Sequence, residues 1–204
     1  MAARPKIRLN LGCGINLVGG FINVDKYYSL EQLQSKKGIY SNATIEPGAE
    51  YVQADVTALP FKSDSVDYIE SIDMIEHLPF RDLQPAFSEM ARVLKPGGKL
   101  AILTNDFDNM ATLWLENMTN GKASAEAYHE LSELIYGNQL APGEFHCNPI
   151  NSSVLSSFIV SVGLHIDNLT IYRGGTNKSP KMLTAKPIKG EFLRSDMIWA
   201  QAHK

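Results

Sequence analysis

The sequence predicts a three-layer α/β fold around a mostly parallel sheet, and three observations predict it. Short β-rich runs alternate with segments of helical periodicity. At 204 residues, with 44% hydrophobic and 20% charged residues, the chain suits one domain, residues 1–204, able to bury a substantial core. Its first apolar run, IRLNL at 7–11, leads directly into a loop with glycine at 12 and 14. In open α/β sheets ligands sit beyond the carboxyl ends of the strands, so this loop is the first place to look for a site.

Strands are predicted at 6–11, 21–25, 50–55, 66–71, 99–104 and 164–172, most of them ending in Gly, Asp, Asn or Ser. A last apolar run, MIWAQAHK at 197–204, closes the sheet as an edge strand and makes the seventh. The nine residues from Gly12 to Gly20 are too few for a crossover helix, because a parallel connection normally takes a dozen or more. The first helix is therefore missing or reduced to a turn. A helix over 29–37 opens with the capping box Ser29–Gln32. The 81–94 segment places Leu83, Phe87, Met90, Ala91 and Leu94 at helical spacing and stops at KPGG, where Pro96 and Gly97 cannot continue it. Residues 107–137 read as one or two helices, and 152–162 as another between the Asn151 cap and Gly163. The stretch 174–190 reads as a loop.

Composition narrows the function classes. The net charge is −3 and no lysine or arginine run is long enough for a phosphate-backbone footprint, so nucleic acid is not expected as a partner. Cys13 and Cys147 have neither zinc-ligand spacing nor the density of a disulfide scaffold, which suits reduced thiols in a cytoplasmic protein. The N-terminus lacks the apolar core of a signal peptide, and no run of ~18 apolar residues could span a bilayer. No membrane partner is expected. No His/Asp/Glu set has convincing metal-ligand spacing, so no metal is assigned. Pairing into a homodimer through the edge strand is left open.

A dinucleotide fingerprint needs a third glycine three residues after the second and an acid ~20 positions after the first. Position 17 is Leu17, and Asp25 comes only thirteen residues after Gly12. Both requirements fail. Losing the first helix also removes the N-terminus that would hold a pyrophosphate, so a ligand without phosphate fits better.

The series LNLGCG (9–14), INVD (22–25), QADVTALPFKSDSVDYIESIDMIEHL (53–78) and ARVLKPGGKLAIL (91–103) resembles the class I S-adenosylmethionine-dependent methyltransferases. Within them it is similar to the broad methyltransferase type 11 family, in a variant with a shortened first crossover. The resemblance spans residues 7 to about 105 with all motifs in order and continues faintly to 163. It implies a Rossmann-like three-layer sandwich with a mostly parallel seven-stranded sheet, its last strand antiparallel. S-adenosyl-L-methionine is the implied cofactor, and the implied reaction is methyl transfer to a small or medium-sized acceptor.

The resemblance also assigns roles. Asn10, Leu11, Gly12, Cys13 and Gly14 match the loop that packs its backbone on the methionine and ribose. Asp25 stands where the family places an acid accepting both ribose hydroxyls. Asp55 stands where the adenine amino group is accepted, with the Val56 N–H available to a ring nitrogen. Both acids also read as plain turn formers. Ser71 and Ile72 match the segment whose backbone meets the ligand's amino group. Many members have an acid where this chain has Asn10, which weakens one contact to that amino group. The long 26–49 connection is placed to cover the adenosine.

Methyl transfer is an in-line displacement that asks mainly for alignment. Where a base is needed, His77 and His146 are the candidates, because histidine titrates near neutral pH. His77, in the EHL motif, reads equally as a cofactor contact or a cap, and His146 reads equally as a core-edge histidine. Asn105 and Asp106 face the same strand-end cleft and read first as the cap of the helix beginning at 107. Residues 107–150 and 174–195 are the parts that would choose the acceptor. A catalytically silent binding module remains the alternative of a different class, and an NAD-using enzyme a third.

Overall fold

The computed structural model describes residues 5–119, 124–172 and 196–204. The predicted loop at 174–190 lies outside the described residues. In chain order the elements are β1 (Arg8–Leu11), β2 (Asn16–Leu17), β3 (Ile22–Asp25), α1 (Leu30–Ser35), β4 (Thr44–Ile45), β5 (Glu50–Gln53) and β6 (Val66–Ile72). They continue with α2 (Phe80–Val93), β7 (Leu94–Asn105), α3 (Phe107–Thr119), α4 (Ala125–Tyr136), α5 (Ser152–Ser161), β8 (His165–Tyr172) and β9 (Met197–His203). None of the described helices is long and apolar enough to cross a membrane.

Seven strands form one sheet in the order β5-β3-β1-β6-β7-β9-β8. The pairs from β5 to β7 are parallel, and β9 runs antiparallel to both its neighbours. The order reverses at β1, whose neighbours are β3 on one side and β6 on the other. Alternation along β7 sends Leu100 and Ile102 to one face and Ala101 and Leu103 to the other. The first face packs with Leu83, Phe87 and Met90 of α2 and with Leu155 and Ile159 of α5 in the main core, where the rings of Phe87 and Phe158 stack at 5.4 Å. The second face gathers Leu103, Met197 and Trp199.

One expectation needs correcting. The 197–204 run is not an edge strand, because β9 lies between β7 and β8. Its residues from Met197 to Ala200 are all buried, as a nearly continuous apolar run requires when both faces and both edges are covered. Among the described residues the edge falls to β8, whose Asp167, Asn168 and Thr170 tolerate solvent, as a strand with one open side needs, and the opposite edge to β5.

The short first crossover contains no helix. Instead β2 pairs in parallel with β4, Asn16 opposite Thr44 and Leu17 opposite Ile45, and the Thr44 hydroxyl donates to Asn16 Oδ1 at 2.8 Å. Leu17 and Cys13 then share a small second core with Tyr28, Leu33 and Ala43. A two-stranded ribbon thus covers the sheet where a longer chain would place a helix. Leu33 reaches that core from α1, whose capping box is formed in both directions: Ser29 N–H donates to Gln32 Oε1 at 2.8 Å and Gln32 N–H to Ser29 Oγ at 3.2 Å.

Asn23 joins this ribbon to the sheet. It is fully buried, and its Oδ1 accepts from Asn10 Nδ2 and from Val18 N–H, both at 2.9 Å. Its amide group donates to the carbonyls of Val18 at 3.0 Å and Glu50 at 2.9 Å. Removing it strips several buried groups of their partners, each costing roughly 1–3 kcal/mol before relaxation. Asn23→Ala is therefore expected to lower the free energy of unfolding by about 2–4 kcal/mol, measurable by urea denaturation.

Candidate functional site

The loops after β1, β3 and β6 and the end of β7 converge on one cleft of about 1060 Å³, walled on its far side by α4 and the loop that follows it. Its position beyond the carboxyl ends of the strands, beside the strand where the order reverses, is where this architecture binds ligands.

The two glycines of the first loop do different work. Gly12 has φ +68°, and a Cβ there would lie 2.2 Å from Met74 Cγ, so the missing side chain makes room for protein. Its N–H donates to Val24 O at 2.9 Å. Gly14 has φ +54°, and a Cβ there would have no atom within 4 Å; this glycine borders open cleft. Its N–H donates to Asp25 Oδ2 at 3.0 Å, while Asp25 Oδ1 accepts from Tyr27 N–H at 2.9 Å. Asp25 therefore ties the first loop to the second while lining the cleft. Burial pushes its carboxyl above the usual range, opposed by the backbone donors of Tyr27, Gly14 and Lys26.

Asp55 also lines the cleft. Its Oδ1 accepts from Thr57 N–H at 2.9 Å and Thr57 Oγ1 at 2.8 Å, which is a turn-forming role. Its Oδ2 lies 2.7 Å from Lys26 Nζ. Burial acts to raise its pKa, but the Lys26 ammonium and the Thr57 donors outweigh it and hold the group below the ordinary value. Val56 joins the lining. Asn10, Leu11, Cys13, Ser71 and Ile72 do not. Asn10 spends its amide on Asn23, Leu11 sits in the main core and Cys13 in the small one, and burial pushes the Cys13 thiol far up. Ser71 is fully buried, and Ile72 packs against the second face of the sheet. Of the long 26–49 connection only Lys26, Tyr27 and Tyr28 reach the cleft; the rest supplies the second core.

Two acids that motif reasoning passed over stand here, Asp73 in the lining and Glu76 behind it. Asp73 has φ +46°, and its buried Oδ1 has no hydrogen-bond partner in the structure; burial raises this carboxyl to about 6. Glu76, 3% exposed, accepts from Thr104 Oγ1 at 3.0 Å. Burial, followed by the nearby charge of Asp73, raises it to about 8. A signal existed in the SIDMIEHL stretch, where two carboxylates stand inside an otherwise apolar run. Among the described residues, seven carboxylates line the cleft against two basic side chains, Lys26 and Arg81.

His77 and His146, far apart in sequence, meet edge to face at the wall with ring centroids 4.7 Å apart. His77 Nδ1 lies 3.2 Å from Phe145 O, and His146 Nδ1 lies 3.0 Å from Leu134 O. Burial lowers both, His77 to about 4 with help from its neighbouring histidine, so both rings are neutral at physiological pH. The loop that carries His146 is stitched to the Ile75–His77 turn: Cys147 N–H donates to Glu76 O at 2.7 Å, and Asn148 Nδ2 donates to Leu78 O. Asn105 lines the cleft as well, whereas Asp106 is buried and its carbonyl accepts the first helical bond of α3 from Met110 N–H at 3.1 Å. Cys147 is exposed and reduced.

Comparison with known proteins follows the same segment. The family model described as "Methyltransferase domain" matches residues 9–102, from β1 into β7. The matched segment, a little under half of the chain, is similar to a methyltransferase domain. Its similarity to the norajmaline N-methyltransferase of Rauvolfia serpentina is 28% identity over 117 residues, covering 53% of this chain and 39% of that one. With the methyltransferase GfsG of Streptomyces halstedii it shares 31% identity over 123 residues, covering 53% and 42%. The chain thus spans about two-fifths of the length of these curated relatives. Among solved structures, the fold matches a SAM-dependent methyltransferase of Methanosarcina mazei with TM-score 0.60, 15% identity and coverage of 99% and 94%. It also matches an S-adenosylmethionine-dependent methyltransferase of Mesorhizobium loti with TM-score 0.57, 18% identity and coverage of 97% and 90%.

The two glycines of this domain make a checkable contrast. Gly12→Ala combines a left-handed φ, costing about 1–2 kcal/mol, with overpacking against Met74 worth roughly another 1–3 kcal/mol. Gly14→Ala carries only the first cost. Denaturation curves are expected to rank the variants in that order, with Gly12→Ala the less stable by about 1–3 kcal/mol.

Proposed function

We propose that the chain is an S-adenosylmethionine-dependent methyltransferase that passes the methyl group to a small or medium-sized acceptor by direct in-line displacement. The observation that carries this reading is the Asp25 carboxylate, 8% exposed and lining the cleft. Each of its oxygens holds one backbone N–H, from Gly14 and Tyr27, and keeps further lone-pair capacity for the two ribose hydroxyls. Gly14, with open space where a side chain would stand, lets the ligand approach the backbone. The cofactor supplies an electrophilic methyl on a cationic sulfur. The acid-rich cleft suits such a cation, and the helix-free first crossover suits a ligand that has no phosphate to bind.

On this reading Asp55 and Val56 take the adenine edge, and Lys26 must share or yield Asp55 Oδ2 to the amino group. Ser71 and Ile72 contribute backbone only, consistent with the buried Ser71 side chain and the partly buried Ile72 packed on the sheet, and Asn10 acts through Asn23 in shaping the loop. An in-line displacement draws on near-attack alignment more than on acid–base chemistry. His77 and His146 stand on the wall formed with α4, the region left for the acceptor.

Isothermal calorimetry against S-adenosylmethionine, S-adenosylhomocysteine and NAD tests the reading. Binding of the two sulfur nucleosides and none of NAD is expected, and Asp25→Asn is expected to weaken them roughly 10- to 100-fold, the worth of about one or two charge-assisted hydrogen bonds. Tight NAD binding, or nucleoside affinity indifferent to Asp25→Asn, would refute it. Binding with no methyl transfer to any acceptor of a broad amine, alcohol and thiol panel would favour a silent binding module.

A further inference from the structure

We propose that Glu76, His77 and His146 form a binding site for a divalent transition-metal ion of the Zn²⁺ type at the wall of the cleft. One ligand-capable atom from each of the three lies within 4.8 Å of the other two. Two imidazole nitrogens and one carboxylate oxygen make a donor set suited to borderline divalent ions and unlike the all-oxygen shells of Mg²⁺ or Ca²⁺.

The orientation of the histidines points the same way. Each Nδ1 faces a backbone carbonyl, Phe145 O for His77 and Leu134 O for His146. A carbonyl can only accept, so these contacts favour the tautomer with the proton on Nδ1 and Nε2 as the ligand nitrogen, although the Gly143 carbonyl also stands near the His77 ring and that of Ile135 near His146. Metal-bound histidines are held in this manner by a carbonyl or carboxylate on the second ring nitrogen, which fixes tautomer and ring direction.

An independent observation comes from Glu76. This side chain is 3% exposed and belongs to the same cluster. Its Oε2 accepts from Thr104 Oγ1 and the backbone N–H groups of Glu76 and Asn105 also act on the carboxylate, whereas no donor meets hydrogen-bond geometry at its buried Oε1. A buried carboxylate oxygen without a donor is costly and uncommon, and a cation would satisfy it. The scaffold is rigid where it matters, since Cys147 N–H and Asn148 N–H both donate to Glu76 O and hold the His146 loop against the Ile75–His77 turn.

Ligand atoms around a tetrahedral ion with bonds near 2.0–2.2 Å stand roughly 3.3–3.6 Å apart. Closing from at most 4.8 Å is a shift of about 1.5 Å or less between ligand atoms, on the scale of side-chain rotation. His77 and His146 line the cleft while Glu76 lies behind its wall, so a fourth coordination position would open toward the cleft. Three protein ligands with one open position is the pattern of zinc sites that act on a substrate, and an acceptor bearing oxygen or sulfur would reach that position. The proposal is independent of which methyl donor or acceptor the cleft takes.

The test uses the full chain stripped with EDTA and titrated with ZnCl₂ by calorimetry and with CoCl₂ by visible absorption. One ion per chain is expected, with Co²⁺ d–d bands between the tetrahedral and five-coordinate types. His146→Ala and His77→Ala are each expected to weaken binding roughly tenfold or more, and Glu76→Gln to weaken it and shift the Co²⁺ spectrum. His203→Ala, which alters the separate surface pair of His165 and His203, should leave it unchanged. The partly buried His146, on the loop, keeps the test valid if the buried Glu76 variant fails to fold. The absence of stoichiometric binding, or affinity unmoved in both His77→Ala and His146→Ala, would overturn the proposal. S-adenosylhomocysteine titrated into the same preparations separates the two readings: nucleoside binding without metal binding sinks the metal site alone, and metal binding without nucleoside binding sinks the transferase reading alone.

Discussion

Nine residues, Gly12 to Gly20, join the first two parallel strands, and the rest of the structure answers to that shortness. A segment of this length can cross from β1 to β3 only close to the sheet, which leaves one face uncovered where a crossover helix would normally lie. The chain covers it with the β2–β4 ribbon and a small core around Leu17 and Leu33. That solution needs a buried polar joint, because the ribbon's backbone cannot satisfy itself against an apolar sheet. Asn23 is the joint, and Asn10 is drawn into it from the neighbouring strand.

The same shortness shapes the cleft. With no helix N-terminus after β1, the positive pole that such folds offer to phosphates is absent from this loop. What remains is a bend of backbone N–H groups oriented by Asp25, in a cleft where carboxylates outnumber basic side chains. Both features suit a cationic, phosphate-free ligand. The acids also impose their own cost, since Asp73 and Glu76 lie close enough for the charge of one to raise the pKa of the other. Buried carboxylates of this kind persist where a proton, a cation or a ligand stabilises them.

The reading of the strands and helices held where a local rule was strong. The capping box at Ser29, the amphipathic face of α2 and the Asn151 cap all speak through neighbours three or four residues away. It failed at 197–204, where periodicity identified a strand and could not say which strands would flank it. Edge or interior is decided by β8, whose polar residues leave it the outer place. The site divides in the same manner: Gly12, Gly14, Asp25, Asp55 and Val56 line the cleft, while Asn10, Ser71 and Cys13 turn their side chains into the body of the protein.

By itself the sequence determined the class of fold, the order of its parallel strands' motifs, the missing first helix and the exclusion of a dinucleotide signature, because each of these is a matter of spacing along the chain. Only the tertiary structure decided that Gly12 yields its space to Met74 while Gly14 borders the cleft, and that Lys26 sits on Asp55. It alone brought His146 against His77 and Glu76. The physical reason is range: turns and caps are settled by adjacent residues, whereas the packing of a loop across the end of a sheet depends on contacts between segments that the chain separates widely.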